Sequence, residues 1–371
     1  MFAKGATIAQ WIEQFAPKSL AVPNDPIGLQ IGSFQKEVKK VLVTLDVTEK
    51  VVDEAIAMGV NFIFAHHAVM FRPMKHIQTD TPSGSLVEKC MKHDIAIYIA
   101  HTNLDIANGG INDMLADALS LQHVGILHTT FTESIYKLAV FVPEENKEEV
   151  FNAVCHAGAG SIGDYSHCTF QSAGLGTFSP LAGSQPYIGK QGKLETVSEV
   201  KLETVVPESK LKKVLHAMKK AHPYEEVAYD LYVLNVEGKA YGLGRVGKLE
   251  QPLKLADFVQ MVKQQFDVPM LRVVGNMEQQ VQKIGVLGGS GAKYMSDAIF
   301  KGCDAYITGD IDFHTAQDAL AAGLILIDPG HHIEKIMIQQ MAAYLEERLL
   351  EHKSNTKVVG TAQNTEPFQF V

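Results

Sequence analysis

The chain has 371 residues, of which 46% are hydrophobic and 20% are charged, so it can bury a sizeable core in two or three domains. This composition excludes intrinsic disorder and fibrous repeats. The formal charge of −9 argues against a protein that coats nucleic acid or an anionic membrane, because either task requires a basic face. No apolar run approaches the roughly 18 residues of a membrane span, and the first residues lack the features of a secretion signal. We therefore expect a cytoplasmic protein with no membrane partner.

The chain is rich in histidine relative to cysteine, with fifteen His and four Cys. The cysteines are scattered without a C-x-x-C pair, which is typical of reduced thiols. A metal site in this chain would therefore be built from imidazole and carboxylate groups rather than from thiolates.

A helix-to-strand unit recurs along the chain. Three segments carry an acid, Ala, Ile or Leu, two further residues and Gly, and they begin at Glu54, Asp297 and Asp318. The glycine fits the left-handed cap of a helix, and the apolar run that follows fits a buried strand ending in His or Asp. A looser fourth copy has His93 in the place of the glycine. Helices alternating with continuous apolar strands predict an α/β fold.

Two longer similarities predict the domain organisation. Residues 41–59 and 284–302 both read strand, turn, helix, glycine, which suggests two related halves. Between them, a shorter strand–helix–strand pattern starts at Lys137 and again at Lys201, and two such copies predict a ferredoxin-like module. Chance similarity of two amphipathic stretches is the alternative. We predict a discontinuous α/β domain of two related halves with a mostly parallel sheet, interrupted by an inserted α+β ferredoxin-like domain, with the limits 1–127, 244–371 and, for the insert, 128–243.

Histidines and carboxylates follow several of the predicted strands. They are His66 and His67, then His101 and Asp105, then His331, His332 and Glu334. Ligands of open α/β sheets bind at the carboxyl ends of the strands, so we expect these groups to meet at one edge of the sheet. If a helix starts after the last strand, His331 and Glu334 fall on one face, where the carboxylate could bridge two cations. The alternative for an isolated His-His pair is one packed and one solvated ring.

Mixed imidazole and carboxylate ligands suit zinc, manganese or iron, and two such ions about 3.5–4 Å apart are the usual apparatus of metal-assisted hydrolysis. One ion orients and polarises a substrate oxygen, while the pKa of a bound water falls towards neutrality. His101 and His314 are the candidate catalytic proton carriers. For His314, helix capping or packing is an equally good explanation.

Two other motifs have weaker interpretations. The glycine-rich segment 285–291 could cradle a phosphate on backbone N–H groups, but a tight turn that requires glycine is favoured. The segment His222-Pro223-Tyr224-Glu225-Glu226 has ligand-type side chains. A structural turn is the favoured interpretation there, and ligand sensing is the alternative.

Together these motifs resemble one known family, the dinuclear-metal-centre proteins that form toroidal hexamers and are called GTP cyclohydrolase 1 type 2 homologues. The resemblance covers essentially the whole chain. It rests on NDPIGLQIG at 24–32, LDVT at 45–48, HH at 66–67, HTNLD at 101–105, GGSG at 288–291, TGD at 308–310, GHHIE at 330–334 and TEPF at 365–368.

The resemblance implies a specific metal site and assembly. It implies two divalent ions per chain, zinc before manganese or iron, held by His66, His67, Asp105, His331 and a bridging Glu334. The position of His332 varies in the family. The resemblance also implies a homohexamer, and it makes the insert similar to the P-II signal proteins.

Two classes of function fit these features. The first is a metal-dependent hydrolase acting on a nucleotide or related small molecule, for which the family name supports the nucleotide. The second is a non-catalytic metal-binding or regulatory ring whose insert senses a small ligand or partner. A ring that threads nucleic acid is a third, weaker interpretation, and the acidic balance of the chain counts against it.

Overall fold

The computed structural model of the protein describes residues 1–369. The chain divides into two compact units, Met1–Thr130 with Tyr241–Val371 as the first and Phe131–Ala240 as the second. The assignment of residues 128–243 as an inserted ferredoxin-like domain stays a prediction.

The regular elements are numbered in chain order. The strands are β1 (Ala3–Lys4), β2 (Gly28–Ile31), β3 (Glu37–Val38), β4 (Lys40–Thr44), β5 (Phe62–Ala65), β6 (Ala96–Ile99), β7 (Gln122–Thr132), β8 (Ile135–Pro143), β9 (Thr169–Phe178), β10 (Glu195–Pro207), β11 (Tyr229–Leu234), β12 (Ala240–Lys254), β13 (Arg272–Val274), β14 (Gln280–Ser290), β15 (Ala305–Gly309), β16 (Ile325–Asp328) and β17 (Lys357–Gly360). The α-helices are α1 (Gly5–Phe15), α2 (Glu49–Ala57), α3 (Pro82–Lys92), α4 (Thr102–Ile106), α5 (Ile111–Ala118), α6 (Lys147–Ala157), α7 (Glu208–Ala221), α8 (Leu255–Gln265), α9 (Met295–Phe300), α10 (Phe313–Ala322) and α11 (Met337–Glu351).

The first unit contains a five-stranded and a six-stranded sheet. The five-stranded sheet has the order β17-β4-β5-β6-β2, in which only β2 runs antiparallel to its neighbour. The six-stranded sheet has the order β13-β16-β15-β14-β12-β7, with β14, β15 and β16 parallel and β12 and β13 antiparallel to them. Every residue of β5, β6, β15 and β16 is buried, as expected of parallel strands covered on both faces.

The α/β class predicted from the sequence is confirmed, and the strands of the first unit are divided between two sheets. The five-stranded sheet is mostly parallel, with β17 at its edge, whereas in the six-stranded sheet the parallel strands β14, β15 and β16 have antiparallel neighbours on both sides. A continuous apolar run predicts a buried strand but carries no information on which strand it will pair with, so the division into two sheets could not be read from the pattern.

The helix caps of the repeated units follow the sequence pattern at three of four places. Gly59, Gly302 and Gly323 have φ values of 66°, 66° and 74° and turn the chain from a helix into a strand. In the fourth copy the left-handed residue is Asp94, with φ 56°, and not His93. Asp tolerates this conformation better than most residues because its short polar side chain bonds locally.

The second unit runs β8-α6-β9-β10-α7-β11, and its four strands form an antiparallel sheet in the order β11-β8-β10-β9. It has its own apolar core, to which β8, α6, β10 and α7 all contribute. Thr130 and Tyr241 are the residues of the first unit that flank this segment in the sequence. They are neighbours in space, since Thr130 Oγ1 donates to the Tyr241 carbonyl over 3.3 Å.

No helix among residues 1–369 has the length and apolar character that crossing a membrane requires.

Candidate metal centre

Loops that follow strands of both sheets of the first unit meet at one point. His66 and His67 directly follow β5, and His101 caps the short helix α4, in which Asp105 lies. From the other sheet, His331 and Glu334 lie in a 3-10 helix, His331–Ile336, which begins three residues after the end of β16. In a 3-10 helix, side chains three residues apart lie one above the other, so these two face the same point. The sequence predicts a site at one edge of a single sheet. The structure instead forms the site from loops of two sheets.

Glu334 lies at the centre of the converging side chains. Its Oε2 is 3.1 Å from His67 Nε2, 3.2 Å from His331 Nε2 and 3.8 Å from His66 Nε2. His66 Nε2 is also 3.7 Å from Asp105 Oδ1. Three sets of ligand atoms lie within 4.8 Å of one another: His66, His67 and His101; His67, His331 and Glu334; and His66, Asp105 and Glu334.

The buried end of this cluster lacks a positive partner. His66 is fully buried, and its Nδ1 donates to the Ala100 carbonyl over 2.9 Å, so that Nε2 presents a lone pair. Among the described residues, neither His66 Nε2 nor Asp105 Oδ1 has a hydrogen-bond partner, although both atoms are buried. Buried polar atoms are rarely left unpaired, and lone pairs of imidazole and carboxylate facing each other are the donor set of a cation site. The residues present therefore fit a bound divalent metal ion.

The histidines of the cluster are all oriented in the same way. Each ring is held through Nδ1, which leaves Nε2 directed at the cluster, as in most metal-ligating histidines. For three of them the acceptor is a carboxylate: Asp46 at 2.7 Å for His67, Asp25 at 2.7 Å for His101 and Asp310 at 2.8 Å for His331.

Asp25, Asp46 and Asp310 belong to motifs that carry the family resemblance, but the sequence predicts no role for them. For two of these three aspartates, the position in the sequence indicates a place near the site. Asp46 follows β4 by two residues and Asp310 directly follows β15, which places both at the carboxyl ends where the predicted ligands also lie. Asp25 lies in a loop before β2, and nothing in the local pattern points to its contact with His101.

Burial and neighbouring charges shift the pKa values of the cluster in opposite directions. Burial lowers the pKa of His66 to about 3, so this ring is neutral. Burial raises the pKa of Asp105 well above its usual value, and the charge of Glu334 adds to that effect. Burial would also lower the pKa of His67, but its hydrogen bonds to Asp46 and Glu334 raise it to about 10.

The remaining pair follows the same logic. The hydrogen bond to Glu334 outweighs burial and raises the pKa of His331 to about 9. The pKa of Glu334 lies well below its usual value, since the hydrogen bonds from His331 and His67 overcome its burial. Near neutral pH, protons on two imidazoles thus supply the positive charge that the buried carboxylate requires. A cation that binds at Nε2 replaces such a proton.

The glycine-rich segment leaves room for this carboxylate. A Cβ on Gly289 would lie 2.7 Å from Glu334 Oε1, and one on Gly288 would lie 3.0 Å from the same oxygen. Gly289 also has φ 67°, a backbone conformation that residues other than glycine rarely adopt. The segment continues strand β14 up to Ser290 rather than turning tightly. The close approach of Glu334 accounts for these glycines.

Two of the histidines singled out in the sequence lie outside the three groups. His314 is exposed in the first turn of α10, where its backbone N–H donates to Asp312 Oδ1 over 2.8 Å. His332 has its Nε2 3.2 Å from Thr365 Oγ1. The groups found among residues 1–369 include neither ring, and the role of His314 as a proton carrier stays a prediction.

A cavity of about 760 Å³ opens beside the cluster within the first unit. His67 and His331 reach into it, together with Arg272, His332 and Phe368. Its volume lies in the range of small-molecule sites, so a ligand of moderate size can contact two of the converging imidazoles.

Proteins similar to this chain match it over nearly its whole length. A protein of Halalkalibacterium halodurans with the name GTP cyclohydrolase 1 type 2 homolog is 52% identical over 369 residues, covering 100% of this chain and 99% of that protein. A Bacillus subtilis protein of the same name is 51% identical over 367 residues, covering 99% of this chain and 98% of that protein.

A crystal structure of a Bacillus cereus protein related to NIF3 has a TM-score of 0.95 at 49% identity and covers 100% of both chains. A Staphylococcus aureus protein of known structure has a TM-score of 0.80 at 30% identity, covering 100% of this chain and 99% of that one. The family model described as Duf34/NIF3 (NGG1p interacting factor 3) matches residues 3–367. The chain therefore belongs to the Duf34/NIF3 family.

Proposed function

We propose that this protein binds two divalent metal ions through His66, His67, Asp105, His331 and Glu334, and that it hydrolyses a nucleotide or related small molecule in the adjoining cavity. The observation that carries the proposal is the common orientation of the rings. Each Nδ1 is engaged by an acceptor, each Nε2 is directed at Glu334 or Asp105, and two buried polar atoms lack any other partner.

When bound, such ions lower the pKa of water and polarise a substrate oxygen. The chain supplies the remaining requirements. Glu334 belongs to both carboxylate-containing groups of ligand atoms, which suits a bridging role. Mixed imidazole and carboxylate donors favour zinc, with manganese or iron as the other candidates.

His101 is the proposed proton carrier. Asp25 holds its Nδ1, and its ring centroid is 5.0 Å from that of His66, so a proton can be taken or given at Nε2 on the cluster side. Geometry within reach of the reacting groups is the first requirement of a general acid or base. The relatives' name, GTP cyclohydrolase 1 type 2 homolog, is the reason for placing a purine nucleotide first among substrates.

Metal content and turnover test the proposal together. Purified protein should carry close to two metal equivalents per chain, and the His67→Ala, Glu334→Ala double variant should lose most of them. A screen of nucleotides and phosphoesters with added zinc or manganese should reveal turnover that the same variant abolishes. Full metal content in the folded double variant would contradict the ligand assignment.

A non-catalytic, regulatory metal-binding protein is the second candidate. A separate cavity in the second unit favours it, since a sensing site would not need the metal centre. Intact metal content without turnover of any compound in the screen would support this candidate over the hydrolase.

The proposal extends to the architecture and assembly. The strand order β11-β8-β10-β9 supports a ferredoxin-like insert, and the similarity of residues 41–59 to 284–302 supports two related halves. We expect a homohexamer, as the family resemblance implies. Light scattering should therefore give six times the chain mass of 40.6 kDa, and a monomer mass would contradict this assembly.

A further inference from the structure

The second unit has an open cavity of about 770 Å³ that the proposed function does not use. Its walls are the strands β9 and β10, the long connection between them at 179–194, and the turn that follows α7. This volume lies in the range of small-molecule sites.

Four aromatic rings line this cavity: Phe141, Phe178, Tyr187 and Tyr224. The rings of Phe178 and Tyr224 are 5.9 Å apart at 60°, and those of Tyr187 and Tyr224 are 6.3 Å apart at 51°. Rings set at such angles present several faces to one space. Aromatic faces attract cations, and cages of this kind recognise ammonium groups.

The charged side chains of the lining are mainly acidic. Glu199, Glu225 and Glu226 all line the cavity. Lys201 is the one basic residue of the described lining, and its Nζ lies 3.4 Å from Glu203, which takes up part of its charge. The excess of negative charge disfavours an anionic ligand such as a phosphate ester and favours a cation.

One of these rings, that of Tyr224, holds the carboxylate of Glu199. Tyr224 OH donates to Glu199 Oε1 over 2.9 Å. A Cβ on Gly176 would lie 2.1 Å from Glu199 Oε2, so glycine in β9 allows the carboxylate to lie across the strand. Burial, with the hydrogen bond to Glu199, raises the pKa of Tyr224, which keeps its hydroxyl a donor.

The 179–194 connection and the turn after α7 are joined by a second carboxylate. The backbone N–H of Gln185, in the 179–194 connection, lies 3.0 Å and 3.1 Å from the two carboxylate oxygens of Glu225 in the turn after α7. This contact closes one side of the cavity without occupying Glu199.

We infer that this cavity binds an organic cation, an ammonium group attached to an apolar body. The ammonium lies against Glu199 and the faces of Tyr187 and Tyr224, and the apolar body packs on side chains of the lining such as Leu175 and Ile188. The site is independent of the metal centre, because every residue of its lining belongs to the unit Phe131–Ala240.

A pair of probes that differ in charge tests this inference on the full-length protein. The probes are 4-phenylbutylamine, which is protonated at neutral pH, and 4-phenylbutan-1-ol. Titration calorimetry should show the amine binding at least about tenfold more tightly than the alcohol, and added salt should weaken only the amine. Equal affinities, or no binding of the amine at millimolar concentration, would overturn the inference.

Variants locate the binding. Glu199→Gln retains an acceptor for Tyr224 but removes the charge, so the preference for the amine should fall by about tenfold. Glu237→Gln removes an exposed carboxylate of the same unit that does not line the cavity, and it should leave the preference unchanged. Circular dichroism establishes that both variants are folded. An unchanged preference in folded Glu199→Gln, or an equal loss in both variants, would also overturn the inference.

Discussion

Among single residues, the acceptors that bind Nδ1 of each histidine determine how the rings of the candidate metal centre are oriented. Asp46, Asp310 and the Ala100 carbonyl hold the Nδ1 atoms of His67, His331 and His66. Without these acceptors a ring can rotate or present the wrong nitrogen to a cation. The sequence predicts the rings but not their acceptors, because the contacts join residues from 21 to 34 positions apart.

The Asp46→Asn variant tests this role. The amide retains the size of the carboxylate but weakens the hold on His67, so metal affinity should fall by about 10–100-fold. Titration of metal-free protein with zinc and a competing chelator measures the change. Asp80→Asn, at an exposed position outside the centre, is the matched control, and equal affinities of the two variants would contradict the role of Asp46.

His222 predicts a pH dependence of stability in the second unit. Its Nε2 donates to the Phe141 carbonyl over 2.9 Å, and its Nδ1 accepts from the backbone N–H of Tyr224 over 3.1 Å. Burial lowers the pKa of His222 below its ordinary 6.5, so the folded state favours the neutral ring. Its contribution to stability is therefore complete above pH 6.5 and is lost as the pH falls from 6.5 towards the lowered pKa.

Urea denaturation followed by far-UV circular dichroism between pH 5 and pH 8 checks this dependence. The titration of other groups is common to the wild type and to His222→Gln, which has no ionisable group at this position. The denaturation midpoint of the wild type should fall more steeply below pH 6.5 than that of the variant. Parallel curves for the two proteins would show that His222 does not titrate in this way.

At the scale of elements, the end of β14 and the 3-10 helix that carries Glu334 have to approach each other closely. Gly288 and Gly289 permit this approach, because neither has a side chain to displace the carboxylate. The pattern of glycines predicted a special backbone position. It could not show that the neighbour requiring the space lies 45 residues later in the chain.

Gly289→Ala should disturb the centre directly. The added Cβ would lie 2.7 Å from Glu334 Oε1 on a backbone with φ 67°, so we expect a loss of stability of about 1–3 kcal/mol and a metal affinity lowered by about tenfold or more. Gly125→Ala is the control, since its Cβ would meet no atom within 4 Å. Thermal unfolding and metal titration measure both effects, and wild-type behaviour of Gly289→Ala would refute the steric argument.

At the scale of the whole molecule, the chain leaves the first unit and returns to it at neighbouring points. Thr130 and Tyr241 are in contact, and the segment between them has an apolar core of its own. Insertions of this kind are tolerated because the ends that they join are already close.

Removal of residues 131–240, with a short glycine-serine linker from Thr130 to Tyr241, should leave a folded protein that retains the metal centre. None of the proposed ligands lies in the deleted segment. Circular dichroism and metal analysis measure the outcome. An unfolded product would contradict the view of the second unit as an insertion.

Local sequence patterns are enough to predict the class of fold, the helix-to-strand units and the types of side chain available at the strand ends. These follow from local properties: apolar runs predict buried strands, and glycines after helices adopt the left-handed cap. His66, His67, Asp105, His331 and Glu334 were therefore identifiable as candidates from position and chemistry, with the family resemblance completing the set.

Three features of the first unit depend on tertiary contacts. The strands form two mixed sheets, and the candidate ligands from both sheets meet around Glu334. Asp25, Asp46 and Asp310 accept hydrogen bonds from Nδ1 of the histidine rings. The tertiary structure also left His314 outside the cluster and formed a second cavity from Glu199 and Tyr224. The physical reason is that pairing and packing join residues far apart in the chain. Local pattern sets which face of an element is apolar, but the choice of partner depends on contacts that no single segment contains.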